Sequence, residues 1–242
     1  MKFYIRHCCS IVLLLLAALS AHGQVGEQLH DFSIGVNGGI NLSQISFTPK
    51  INQTYLMGPT AGLTLRYTSE RYFGILCAFQ AELNLNRAGW KEDIYAQNNE
   101  KLPDTYEREL TYVSLPILAS LGFGRKDRGA KGYLVAGPQV SLLVKDREKR
   151  SETWTTLANG TPNRINNVVQ QYGKKVENKF EYGITAGLGF ELSSKVGHFM
   201  IEGRYYLGLS NLYGNSKTDP FAESGQRTIV AKITYLFDVL KR

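Results

Sequence analysis

The chain has 242 residues, a formal net charge of +7, 43 % hydrophobic and 20 % charged residues, and a negative mean hydropathy. That length holds one generous domain or two small ones; the average polarity is that of a soluble protein, so any membrane assignment must rest on pattern. The basic excess suits an anionic lipid surface or an acidic partner as well as an ordinary basic surface, and no interleaved basic–aromatic cluster argues for nucleic acid.

Lys2 and Arg6 give a basic start, Ile11 to Leu19 form an unbroken apolar run, and Ala21-His22-Gly23 precedes Gln24. This layout predicts a secretory signal peptide over residues 1–23 and an exported domain over 24–242. The apolar run is shorter than the about 20 residues a helix needs to cross a bilayer. Cys8 and Cys9 precede it, whereas a lipidated cysteine would follow it. Cleavage removes Lys2 and Arg6, taking +7 to +5, and leaves Cys77 with no disulfide partner.

Beyond Gln24 the apolar residues recur with the period of two that marks strands. Phe32, Ile34, Val36, Ile40 and Leu42 alternate with Ser33, Gly35, Asn37, Gly39 and Asn41. A second segment sets Ala61, Leu63, Leu65 and Tyr67 against Gly62, Thr64 and Arg66; a third sets Phe73 to Leu85 against Gly74 to Asn86. The fourth carries Val113, Leu115, Ile117 and Ala119, and the fifth Leu134 to Val144 at alternate positions. Pro116 and Pro138 in these two lack an amide hydrogen, so each implies a bulge or a local break in pairing. The sixth runs from Phe180 to Leu192, the seventh from Phe199 to Leu209, and the eighth from Ile229 to Phe237.

Short connections at Thr68–Arg71, Gly122–Lys131 and Ser193–Gly197 alternate with long polar ones at Ser43–Leu56, Arg87–Arg108, Lys145–Lys179 and Asn211–Gln226. That is the up-and-down layout of outer-membrane barrels, with short periplasmic turns and long outer loops. A soluble lipocalin-like barrel alternates equally well, but its apolar face would point inward. Here the opposite face carries Arg66, Glu82, Glu181, Glu202, Arg204 and Lys232 among many glycines, which suits a filled lumen with a paired charge network. Phe32, Tyr67, Phe73, Phe190, Phe199, Tyr235 and Phe237 all fall at the ends assigned to the periplasm, as an interfacial aromatic girdle requires. The fold expected is therefore all-β: an eight-stranded antiparallel up-and-down transmembrane β-barrel behind a cleaved signal peptide.

Chemistry is sparse. His30 and His198 both lie on the periplasmic side, away from an outer-leaflet acyl-transfer site. Glu82, Glu181 and Glu202 fit a lumen ion-pair network with Arg66, Arg204 and Lys232 better than an acid/base pair. The histidines and Cys77 lack metal-ligand spacing, and the glycines follow the strand period rather than forming a phosphate loop. No catalytic, cofactor or metal residue is expected. Trp90 in one long loop, and Trp154 with Arg147, Lys149 and Arg150 in another, are candidate contacts to lipopolysaccharide phosphates or a surface partner, set against solvated loops with interface-anchoring tryptophans.

The strings MGPTAGLTLRY, YVSLPILASLGFG, YLVAGPQVSLLV, YGITAGLGFEL and IEGRYYLGLSNL resemble the PorT-type outer-membrane β-barrel family of Bacteroidetes over essentially the whole mature chain. The resemblance implies an eight-stranded barrel in a Gram-negative outer membrane and no catalytic constellation; its name-giving member is associated with protein secretion. The expected function is a non-enzymatic, monomeric barrel displaying four extracellular loops, in envelope structure, surface binding or accessory secretion. Expected partners are outer-membrane lipid and lipopolysaccharide, the barrel-assembly machinery, and a surface or secretion partner. The alternatives are a narrow channel and a lipid A-modifying barrel enzyme.

Overall fold

The computed structural model describes residues 27–124, 129–165, 168–216 and 219–240, so the signal peptide expected over 1–23 lies outside the described residues. The alternating segments form eight long strands: β1 (Glu27–Thr48), β3 (Leu56–Tyr72), β4 (Ile75–Glu92), β5 (Tyr106–Gly124), β6 (Gly129–Arg150), β7 (Phe180–Ser194), β8 (Gly197–Asn211) and β9 (Glu223–Leu240). A two-residue strand, β2 (Gln53–Thr54), pairs with the end of β4 at Glu92 and Lys91.

Each long strand pairs antiparallel with its successor. The last returns to the first, from Phe32–Leu240 to Thr48–Glu223, so the sheet closes without a free edge. The ring is uneven: its strands span 15 to 22 residues, and register shifts fall in five of its ladders. The β5–β6 ladder lapses between Pro116–Gln139 and Ala119–Ala136 and resumes in the same register, the local break that a missing amide hydrogen imposes.

All three short connections depart from the sequence reading, and in the Gly122–Lys131 turn β5 runs to Gly124 and β6 starts at Gly129. β3 runs on to Tyr72 through a shift at Thr68–Glu70, so its turn is Phe73-Gly74, not Thr68–Arg71. The β7–β8 turn is only Lys195-Val196, which leaves Ser193 on the strand. At the other end β1, β4, β5, β6 and β9 extend into segments read as loops. The reason is a change of sign in the alternation. On β1 the inward face reads Ser33, Asn37, Asn41 and Ser43, then Ile45 and Phe47; on β4 it reads Gln80, Glu82 and Asn84, then Ala88 and Trp90. On both strands the inward face is polar through the middle of the ring and apolar near the loop end, with Leu29 and Leu76 buried at the turn end.

A belt of outward side chains, including Val36, Leu63, Leu83, Ile117, Leu134, Leu188, Ile201 and Ile233, is exposed around the whole ring. Soluble monomers rarely expose contiguous apolar patches beyond a few hundred Å². The belt therefore calls for hydrocarbon, where a closed ring is one of two ways to satisfy every backbone group. Leu188, in the middle of β7, is 65 % exposed. Leu188→Arg should cost about 2–4 kcal/mol of folding free energy in lipid vesicles, measured by urea titration. An aqueous surface position would absorb the same change within about 0.5 kcal/mol.

Candidate functional site

The interior is built in three tiers. In the middle, Arg204 donates to Glu82 at 2.8 and 3.1 Å and to Glu202 at 2.6 Å. Lys232 also contacts Glu82 and lies 3.4 Å from Glu202. Gln80 and Asn84 each donate to Glu82 at 2.8 Å. These four charges cancel, and each carboxylate meets both cations. Gly187 and Gly39 leave the room: a Cβ at either would lie 2.7 Å from Arg204 Cγ or Lys232 Cβ.

A second tier lies toward the turns. Arg66 donates to Glu191 at 2.6 and 3.2 Å, and Lys131 lies 2.9 Å from the same carboxylate. His198 bridges Glu191 through Nδ1 at 2.7 Å and Asp238 through Nε2 at 2.9 Å. Ser193 Oγ donates to Glu191 at 2.9 Å and is 2.9 Å from His198 Nδ1. Serine, histidine and aspartate thus meet here, but a nucleophile needs an approach for its substrate and donors aimed at the developing oxyanion. Ser193 is buried and shares its hydroxyl with a carboxylate held by two cations. The adjoining cavity of about 20 Å³, lined by Arg66, Lys131, His198 and Asp238 among others, has room for a water molecule and not for an acyl group.

Glu181 stands apart from both tiers. It is buried, faces Tyr112 and Tyr206, and has no ion-pair partner among the described residues. A Cβ at Gly208 would lie 2.8 Å from its Oε1, so that glycine makes its space. The sequence expectation of one network is corrected accordingly. Arg66 belongs to the turn-end tier, and Glu181 belongs to neither, because the cations fall on other strands at other heights. Glu82→Gln, which leaves two buried cations on one carboxylate, should cost about 3–5 kcal/mol. Glu181→Gln removes an uncompensated buried charge, so its urea midpoint should equal or exceed that of the native protein; a fall matching Glu82→Gln would contradict this assignment.

The third tier is an apolar cap. Ile45, Phe47, Trp90, Tyr106, Leu110, Tyr213 and Phe221 form a buried cluster under the long connections. Phe47 packs edge-on to Trp90 at 5.2 Å and against Phe221 at 4.9 Å. Arg108 donates to Asp146 at 2.8 Å and to the Tyr213 hydroxyl at 3.2 Å. The connections are tied to one another: Ile165 N donates to Tyr95 O at 3.0 Å, and Thr155 Oγ1 to Asp104 at 3.0 Å. Arg164 lies over the Trp154 ring at 4.5 Å and donates to the Tyr172 hydroxyl at 2.9 Å.

Glu92, at the end of β4, accepts from Tyr172 at 2.6 Å and from Gln171 at 2.8 Å. Burial nevertheless pushes its carboxyl above the usual carboxylate range. A raised carboxyl holds its proton more tightly in the folded cap. Its stabilising contribution is full below the unfolded pKa and is lost as pH rises through the folded one. Both tryptophans of the chain lie in the cap, so tryptophan emission during urea titration reads the cap itself. The midpoint should fall from mildly acidic to neutral pH, and Glu92→Gln should flatten that dependence.

The candidate surface residues separate. Trp90 is 0 % exposed, so it is a cap residue and not a contact; the inverted alternation turns it inward. Trp154 is half-buried against Tyr172. Arg147, Lys149 and Arg150 lie on β6 rather than in a loop, and Lys149 is paired with Glu109 at 2.6 Å and Glu107 at 3.5 Å. Arg147 and Arg150 are exposed. Sequence reasoning missed the Glu191 cluster, although Glu191 shares the polar face of β7 with Glu181 and was open to the same argument.

The crystal structure of Neisserial surface protein A (NspA) aligns over 85 % of this chain and 97 % of its own, at 12 % identity and a TM-score of 0.40. That of Ail, the attachment invasion locus protein of Yersinia pestis, aligns over 87 % and 99 % at 11 % identity and 0.36. The outer membrane protein OprG from Pseudomonas aeruginosa aligns over 88 % and 98 % at 13 % identity and 0.38. No curated protein matches the chain. The family model described as outer membrane protein beta-barrel domain matches residues 22–214, and the chain belongs to that family.

Proposed function

We propose that this outer-membrane barrel is a non-enzymatic, monomeric surface platform, exported by a cleaved signal peptide, with its four long connections outside the cell. The observation that carries the reading is the filled interior. Two charge-balanced tiers and an apolar cap occupy the lumen in turn, and the mid-lumen cavity measures about 30 Å³, room for a water or two. A barrel so filled does its work on its surface, where the cap holds the connections stiff through hydrogen bonds between them.

The PorT-type likeness supports a Bacteroidetes source and a role in the envelope, as a structural component, a surface binder or an accessory of secretion. Outer-membrane lipid, lipopolysaccharide and the barrel-assembly machinery are the partners this reading requires. A narrow channel needs a continuous polar path, against which the Trp90–Phe47–Phe221 layer argues. A lipid A-modifying enzyme needs its histidine at the loop end, whereas His198 sits with Asp238 at the turn end. Purified protein in planar bilayers should pass no steady current; a steady open conductance would replace the platform with a channel. Lipid A from cells with and without the gene should give the same mass spectrum, and a gene-dependent acyl or phosphate change would restore the enzyme.

A further inference from the structure

We infer that the outward rim of β4, β5 and β6 at the loop end is a binding site for the phosphorylated headgroup of lipid A. The inference rests on the proposal that the loop end faces outside. The last apolar row paired across both ladders is Leu85–Val113–Leu142, with the bulged Val144 exposed just beyond it on β6. The next outward row is Arg87–Thr111–Lys145, then Gly89–Glu109–Arg147, then Lys91–Glu107–Lys149. With about 3.4 Å of rise per residue, the first cations stand ~7 Å beyond the last leucines, at headgroup height.

Nine positions thus hold five cations and two carboxylates. Lys149 is tied to Glu109 and Glu107. Arg87, Lys91, Lys145 and Arg147 are exposed and have no ion-pair partner among the described residues. The rim of β1 and β9 differs. β1 presents Gln44, Ser46 and Thr48 at this level, and Arg227 on β9 is 3.6 Å from Glu223. Against β1 and β9, the sector of β4, β5 and β6 is the positive one.

A bulge creates it. Tyr112 pairs with Leu143, but Thr111 pairs with Lys145, so one extra residue of β6 enters at Val144. Without it the period of two would turn Lys145, Arg147 and Lys149 inward and Asp146 outward. With it, Asp146 points in to Arg108 and three cations point out. Bulges re-aim side chains in this way. Guanidinium and ammonium groups above a hydrocarbon belt bind phosphate oxygens by charge-assisted hydrogen bonds, and outer-leaflet lipid A supplies such phosphates where the belt ends.

The test uses the mature protein in nanodiscs containing bisphosphorylated lipid A or its phosphate-free form, with retained lipid read by native mass spectrometry. Native protein should retain the phosphorylated form in preference, and the preference should fade as salt rises. The triple variant Arg87→Ala, Lys145→Ala, Arg147→Ala should bind it at least tenfold more weakly, while Lys195→Ala at the turn end changes nothing. Should the triple variant fold poorly, Lys145→Gln alone and the salt series on native protein carry the test. Equal retention of the two lipids, or equal retention by native and variant protein, overturns the site and would leave an acidic protein as its partner. Nanodiscs offer lipid A on both faces, so this result is independent of orientation. Orientation is read separately by labelling Asn159→Cys on whole cells; exclusion of the label would overturn the outside placement while leaving the binding result intact.

Discussion

Hydrogen bonding of the backbone in hydrocarbon is the constraint from which the rest of this molecule follows. An open sheet would leave an edge of unpaired amides in lipid, at several kcal/mol each. The β1–β9 ladder removes that edge along both strands. Closure on eight strands then fixes a narrow interior, and a narrow interior decides what can stand inside it. Gly187 and Gly39, lacking a Cβ, make room for Arg204 and Lys232. In so small a space the charges of both tiers also meet their opposites, and Glu181 alone stands outside them among the described residues. Glu82 and Glu202 meet Arg204 and Lys232, and Glu191 meets Arg66 and Lys131 with His198 between it and Asp238.

The same closure explains the cap. Above the belt there is no lipid to cover an apolar outward face, so the outward residues become Arg87, Lys145 and Arg147 while the apolar ones turn in. β4 and β5 stay in register while β6 takes in one extra residue at Val144, and on β1 and β4 the sign of the alternation changes. Trp90, Tyr106 and Phe47 then give a core to the long connections, which would otherwise be solvated loops. The cap differs from the tiers beneath it in kind. It is held by apolar burial and aromatic packing, with Arg108–Asp146 and Glu92–Tyr172 satisfying its buried polar groups.

What was legible in the chain was the contrast between alternate residues. Phe180 to Leu192 reads as a strand at sight because lipid-facing Ile184 and Leu188 stand beside lumen-facing Thr185 and Glu181. The strand ends beyond the belt were not legible, because an alternating polar-out, apolar-in segment rich in Lys and Glu resembles a polar loop. The bulge at Val144 compounded this: it breaks the period in the segment that carries Lys145 to Arg150. Charge pairing was legible as a requirement but not as an assignment. Period fixes which face a residue takes and says nothing of its height, so Arg66 could not be told apart from Arg204, nor Glu181 from Glu191.

A barrel of this design separates duties. The belt and closed ladder hold the protein in the membrane, the charge tiers fill it, and the cap ties the long connections together. The central claim is that β1, β4, β5, β6 and β9 continue as paired strands above the belt around an apolar filling. Amide hydrogen exchange of the protein in lipid tests it most directly. The account predicts that amides of Ile45, Trp90 and Leu110 exchange as slowly as belt amides such as Leu83 and Leu188. Exchange of the first three at the rate of open loops, with only the belt protected, would contradict it.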